Sequence, residues 1–117
     1  MRVLMLNYEY PPLGGGAANA NYYMLKEFAK VKGLEVDLIT SSADNKFEVE
    51  DFSSNVRIYK LDVGKKDVHF RGQGEIMRWL YKAYSLSRKL ASEKKYDYCH
   101  CWFGFPSGLA GMTYSAA

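Results

Sequence analysis

The sequence has few of the residues that mark secreted or membrane-spanning proteins. It contains two cysteines and three prolines among 117 residues, and no stretch approaches the roughly 18 apolar residues of a transmembrane helix. The amino terminus has a strand-like pattern, without the cationic and long apolar segments of a secretory signal peptide. We therefore expect a cytoplasmic protein, with peripheral contact to the inner face of the membrane as an alternative.

The two cysteines, Cys99 and Cys101, are separated by a single residue, His100. Residues two apart on a strand face the same side, and a disulfide between these two would be strained. Reduced thiols are the better interpretation. A metal site would need further ligands, and His100 would lie on the opposite face, so we expect no metal.

Composition and charge indicate one small globular domain. The chain is 48% hydrophobic and 25% charged, which is typical of a folded domain that buries a real but small core. The formal net charge of +3 is mild, so no nucleic-acid partner is expected.

The segment Asn7-Tyr-Glu-Tyr-Pro-Pro-Leu-Gly-Gly-Gly-Ala-Ala18 joins a predicted strand to a predicted helix. Glycines let a backbone approach an anion closely, and a helix N-terminus presents unpaired N–H groups. The loop is therefore a candidate diphosphate cradle. It has neither the Walker spacing nor Gly-x-Gly-x-x-Gly, and a flexible connection that serves only as a turn is the alternative.

Apolar periodicity predicts four strands that alternate with helices. The strands are expected over residues 2–6, 34–40, 56–61 and 96–101, and the helices over 19–32 and 75–95, with another beginning at Gly108. Asn19 is the expected N-cap of the first helix, and Gly33 its C-terminal stop. This alternation predicts an α/β fold, in which a Rossmann-like parallel sheet has helices on both faces.

Two segments lack a periodic pattern and are predicted as loops, over residues 41–55 and 62–74. In the first, we expect Phe47, Val49 and Phe52 to serve as apolar anchors. The second is basic, and long loops of this kind are often functional.

The longest predicted helix is amphipathic. Its apolar face consists of Ile76, Trp79, Leu80, Ala83, Leu86, Leu90 and Ala91. Cationic residues lie mainly outside that face: Arg78, Lys82, Arg88, Lys89 and Lys94. We expect this helix to cover the sheet with its cations in water; a membrane-surface role is the alternative.

The last part of the chain has no charged residue after Asp97. A surface helix normally has a polar face, so an uncharged terminal helix is expected to be buried under further structure. We expect Ala117 not to be a natural domain end, and the isolated chain to self-associate through residues 103–114.

Two stretches together resemble a known family. Residues 1–16, Met-Arg-Val-Leu-Met-Leu-Asn-Tyr-Glu-Tyr-Pro-Pro-Leu-Gly-Gly-Gly, and residues 96–111, Tyr-Asp-Tyr-Cys-His-Cys-Trp-Phe-Gly-Phe-Pro-Ser-Gly-Leu-Ala-Gly, resemble the N-terminal half of a family 4 glycosyltransferase of the GT-B fold. The resemblance spans essentially the whole chain. It implies that residues 1–117 are an incomplete acceptor-side domain that lacks the C-terminal nucleotide-sugar domain.

The resemblance also implies an activity. Such enzymes transfer a sugar from a nucleotide-sugar donor to a carbohydrate or lipid acceptor with retention of configuration, generally without a cofactor or metal. By resemblance, Gly15 and Gly16 contact the donor phosphate, and Tyr10, Asn19 and Trp102 lie in the sugar or acceptor cleft. The 117-residue chain alone is expected to be inactive.

One position departs from the family pattern. His100 matches the first histidine of the family's His-x-His, but Trp102 stands where the second would be. Tryptophan cannot exchange a proton at neutral pH, although it can stack on a sugar. We expect Trp102 to form a wall of the site and His100 to orient a hydrogen bond; a catalytic role for His100, a buried structural His100 and simple core packing of Trp102 are the alternatives.

Three functions remain open from the sequence. The first is the acceptor-side domain of a retaining glycosyltransferase, a hexosyltransferase-like enzyme. The second is a stand-alone Rossmann-like module that binds a nucleotide or sugar without turnover. The third is a membrane-surface domain that acts through the basic helix.

Overall fold

The computed structural model describes residues 1–8, 16–42, 46–62 and 73–101. Five strands and two helices lie in this part of the chain. In chain order they are β1 (Arg2–Leu6), α1 (Gly16–Phe28), β2 (Glu35–Ser41), β3 (Glu48–Asp51), β4 (Val56–Leu61), α2 (Gln73–Glu93) and β5 (Tyr98–Cys101). Neither helix is long and apolar enough, within the residues described, to cross a membrane.

The strands form one sheet in the order β3-β4-β2-β1-β5. All neighbouring pairs are parallel except β3 and β4, which are antiparallel. Because parallel strands run the same way, β1, β2, β4 and β5 all end at one edge of the sheet. That edge, which we call the carboxyl edge, follows Leu6, Ser41, Leu61 and Cys101.

The two helices pack on opposite faces of the sheet. Successive side chains of β1 point to opposite faces of the sheet. Leu4 packs in the cluster around Trp79 of α2, and Met5 packs in the cluster around Leu25 of α1. All four of these side chains are fully buried. The predicted α/β sheet with helices on both faces is thus confirmed, and period-two burial is its physical cause.

The bounds predicted for α1 were wrong at both ends. The helix begins at Gly16, so Asn19 lies inside its first turn and cannot be the N-cap. Helix-favouring alanines before Asn19 allow this earlier start. At the other end, Val31 N donates to Phe28 O over three residues, which tightens the last turn and ends the helix before Gly33, whose φ is +81°.

The segment predicted as a loop before β4 contains a strand, β3. Its sequence Glu-Val-Glu-Asp is too acidic to show a strand pattern. Ion pairs with β4 stabilise this acidic strand: Lys60 Nζ lies 2.8 Å from Glu50 Oε1, and Arg57 Nε lies 3.0 Å from Asp51 Oδ1. Edge strands are commonly short and charged in this way.

Several predicted apolar contacts were also wrong. Phe47 and Val49 are exposed on or beside the edge strand, although Phe52 packs against the α1 core as expected. Ala91, which was predicted on the apolar face of the longest helix, is exposed as well. The carboxyl-terminal helix predicted from Gly108 and most of the predicted loop over 62–74 lie outside the described residues.

Candidate functional site

The carboxyl edge is where ligands bind in open parallel sheets. Beyond β1 the chain leads through residues outside the described part to the N-terminus of α1 at Gly16. The first turn of α1 contains no acidic residue, so nothing there offsets the positive end of the helix dipole. This end of α1 is therefore electrostatically suited to an anion.

A buried amide pair joins the end of β1 to α1. Asn7 Nδ2 donates a hydrogen bond of 3.0 Å to Asn21 Oδ1, and Asn21 Nδ2 lies 3.1 Å from the sulfur of Met5. Both asparagines are fully buried. Since buried amides must be hydrogen-bonded to be tolerated, the pair sets where α1 begins relative to β1.

Tyr8, the last described residue before residue 16, is hydrogen-bonded to side chains of β2. Its carbonyl oxygen accepts hydrogen bonds from Ser41 Oγ at 2.7 Å and from Thr40 Oγ1 at 3.2 Å. Its ring lies edge-on to Trp79 of α2, with centroids 5.6 Å apart. The backbone that leads into residues 9–15 is thus fixed to both a neighbouring strand and a helix.

The end of β5 presents two different surfaces at the carboxyl edge. Cys99 and Cys101 face α2 and are half-buried, with sulfur atoms 3.9 Å apart. His100 pairs in register with Met5 and so lies on the α1 face. It is exposed, so the alternative of a buried structural histidine was wrong.

The predicted site residues fall into two groups. Gly16, Asn19 and His100 lie in the described part: Gly16 begins α1, Asn19 is exposed in its first turn, and His100 is exposed on β5. Tyr10, Gly15 and Trp102 lie outside the described residues.

Sequence reasoning missed four polar residues that build this edge: Asn7, Asn21, Thr40 and Ser41. Three of them stand at or directly after the ends of buried strands, where a polar residue is a usable signal. Asn21 gives no such signal, because a polar residue inside a predicted helix is expected on its solvent face.

The described residues contain no group of three or more His, Cys, Asp or Glu side chains that could hold a metal ion. Burial and hydrogen bonding nevertheless perturb two groups near the ends of β5. The hydrogen bond with Cys101 and burial raise the pKa of the Cys99 thiol. Burial and the neighbouring Asp37 carboxylate raise the pKa of Tyr96 well above its ordinary value.

This architecture is a mostly parallel α/β sheet of the Rossmann-like kind, and it matches part of a GT-B enzyme. Two chains of sucrose-phosphate synthase from Thermosynechococcus elongatus are similar in structure. The first has a TM-score of 0.73 at 20% identity, over 98% of this chain and 30% of that one. The second has a TM-score of 0.66 at 16% identity, over 99% of this chain and 57% of that one.

At 20% and 16% identity, these likenesses show the fold alone. The chain spans less than two thirds of the length of either neighbour. No family model matches the sequence. No curated protein matches it significantly.

Proposed function

We propose that this chain is the acceptor-side N-terminal domain of a retaining glycosyltransferase of family 4. The complete enzyme would transfer a sugar from a nucleotide-sugar donor to a carbohydrate or lipid acceptor. The glycosyltransferase-like fold supports this proposal, as do the two sequence stretches that resemble the family. A second domain, contributed by further sequence, would hold the nucleotide.

One observation carries the proposal: the positive N-terminus of α1 lies beyond the carboxyl end of β1 and is held there by the buried Asn7–Asn21 pair. Gly16 begins that helix, so its N–H belongs to the unpaired first turn. A donor diphosphate would accept hydrogen bonds from Gly15 and Gly16, and it would be stabilised by the helix dipole.

The remaining roles are those that the family resemblance implies. Asn19, which is exposed in the same helical turn, would contact a sugar or acceptor hydroxyl beside the diphosphate. Tyr10 and Trp102 would supply aromatic walls, since flat rings stack on sugar faces. His100 would orient a hydrogen bond from β5, and no metal or other cofactor would be needed.

The test uses the complete gene product and a panel of uridine, adenosine and guanosine diphosphate sugars. Release of nucleoside diphosphate in the presence of acceptor is expected for one of these donors. Gly16→Val should reduce that rate by about 100-fold, because its side chain would block the diphosphate. Ala20→Val, one turn further along α1 on an exposed site, is the matched control and should retain activity.

A stand-alone binding module is the alternative function. It predicts that the protein binds a nucleoside diphosphate, that Gly16→Val weakens this binding, and that no donor is turned over with any acceptor. If Gly16→Val has wild-type circular dichroism, unchanged activity and unchanged binding, the diphosphate contact at Gly16 is wrong for both candidate functions.

A second candidate function, contact with an anionic membrane surface, is favoured by the outer face of α2. Tyr81 is 73% exposed and Met77 is 56% exposed, and Arg78, Arg88 and Lys89 are exposed on the same helix. No acidic residue occurs between Ile76 and Ser92. Apolar and cationic groups together suit an interfacial helix that lies on anionic lipid.

Vesicle sedimentation tests this second candidate. Vesicles with phosphatidylserine should bind the protein in low salt and release it in high salt, because surface attraction is screened. Arg88→Gln with Lys89→Gln should weaken binding, whereas Lys26→Gln in α1 with Lys30→Gln just after it should not. Equal loss in both pairs would indicate only general charge attraction.

A further inference from the structure

The cysteine pair of β5 offers chemistry that the proposed transfer reaction does not use. Cys99 and Cys101 point to one face of the strand, and their sulfur atoms lie 3.9 Å apart. Both side chains are half-buried and pack against the α2 core. They are the only cysteines of the chain.

Their separation matches that of two sulfurs that share one ion. With metal–sulfur bonds of about 2.3 Å, two sulfurs on one ion are about 3.8 Å apart at a tetrahedral angle and about 4.6 Å apart when linear. The observed 3.9 Å lies near the tetrahedral end of this range, so both sulfurs can reach one ion at a bent angle, and a linear ion would need them about 0.7 Å further apart. A disulfide would need the sulfurs at about 2.05 Å, far closer than they are.

We propose that Cys99 and Cys101 form a dithiol site that binds one soft, thiophilic cation of the Cu(I) class through both sulfur atoms. Thiolates select soft ions. No third His, Cys, Asp or Glu is placed to complete a larger ligand set in the described residues, and His100 lies on the other face of β5. An ion that accepts two ligands is therefore preferred over zinc, which takes four in structural sites.

Binding is an exchange of protons for the ion, without oxidation or reduction. One Cu⁺ replaces the two thiol protons, two Cu–S bonds form, and both protons pass to solvent. Because the ion binds the deprotonated sulfurs and displaces both protons, the affinity should rise with pH. This site does not depend on the proposed glycosyltransferase activity.

The experiment is an anaerobic Cu(I) titration against the chromogenic competitor bicinchoninate. The wild-type chain should bind one copper per chain. Cys99→Ser and Cys101→Ser should each lower the affinity by about 100-fold or more, because the second sulfur binds intramolecularly. Circular dichroism should show that both variants fold.

A matched control keeps two thiols but separates them. The control combines Cys99→Ser with Ser54→Cys, which places the new thiol at an exposed position just before β4. Strands β4 and β5 are three strand spacings apart in the sheet, or roughly 14 Å. This variant should bind copper as weakly as Cys99→Ser. Wild-type affinity in it, or one copper per two chains in the wild type, would overturn the proposal.

Phenylarsine oxide provides a measurement that needs no variant. Its arsenic forms two As–S bonds as the two thiol hydrogens leave with its oxygen as water, so one equivalent should remove both titratable thiols. The mass should increase by one phenylarsenic group less two hydrogens. Two thiols that remain titratable after one equivalent would contradict the proposed chelate.

Discussion

The phenol of Tyr96 donates a hydrogen bond of 2.5 Å to Oδ2 of Asp37, 59 positions earlier in the chain. Lys94 Nζ reaches the same oxygen at 3.0 Å. The Asp37 side chain is almost fully buried on the α2 face of β2. These contacts tie the middle of the sheet to the segment between α2 and β5, which positions the cysteine pair and His100.

Replacing Tyr96 by phenylalanine should destabilise the fold. The change removes a hydrogen bond to a buried carboxylate, and such bonds contribute about 1.5–3 kcal/mol. Urea unfolding should show a lower midpoint for Tyr96→Phe. Tyr98→Phe is the control, because Tyr98 is exposed on β5 and its loss should change stability by less than about 0.5 kcal/mol. Equal effects of the two changes would contradict this assignment.

The same tyrosine should make the protein sensitive to alkali. Burial and Asp37 raise the pKa of Tyr96 above its unfolded value of about 10. The folded state therefore keeps a proton that the unfolded state loses, and this contribution to stability is present below pH 10 and declines above it. The free energy of unfolding should fall by up to about 1.4 kcal/mol per pH unit from this group. Tyr96→Phe should show a shallower decline above pH 10; an identical slope would rule out this cause.

The buried amide pair predicts a link between stability and ligand binding. Asn21→Ala removes the hydrogen bond from Asn7, which should cost about 1–3 kcal/mol and loosen the approach of β1 to α1. Nucleoside diphosphate binding by calorimetry should weaken as well. Asn19→Ala, in the same helix but exposed, should leave the unfolding midpoint near that of wild type. If Asn21→Ala binds nucleotide normally, the pair is structural only.

His100 and Trp102 can be separated by the pH dependence of kcat/KM in the complete gene product. Trp102→Ala should raise KM or lower kcat without changing the shape of the profile, because an indole does not titrate there. His100→Asn should leave any inflection between about pH 5.5 and 7.5 in place, since we assign it no proton transfer. A titrating step that disappears in His100→Asn would make it an acid–base residue, and wild-type turnover of Trp102→Ala at subsaturating substrate would remove it from the cleft.

The sheet was predictable because its signals are local. Val56–Leu61 alternates apolar and polar residues and forms a strand with those bounds. Arg2–Leu6 is a short apolar run and forms β1, the strand between β2 and β5. In both, the residues that must be buried recur with the period of the backbone itself.

Helix bounds and the edge strand were less predictable. A residue suited to cap a helix does not fix where the helix begins when its neighbours also favour helix. At α1 the helix begins at Gly16, three residues before Asn19. The acidic strand β3 depends on cations of β4 that lie six to ten residues away along the chain. Neither outcome is visible in a window of local sequence.

By itself, the sequence determined the alternation of strands and helices, the two faces of β1 and the shared face of Cys99 and Cys101, because backbone geometry converts spacing directly into orientation. Only the tertiary structure decided that Asn7 meets Asn21, that Tyr8 is held by Thr40 and Ser41, and that Tyr96 and Lys94 donate hydrogen bonds to Asp37. These contacts join residues 14 to 59 positions apart. Their partners are chosen by the path of the whole chain and by the need of every buried polar group for a hydrogen bond.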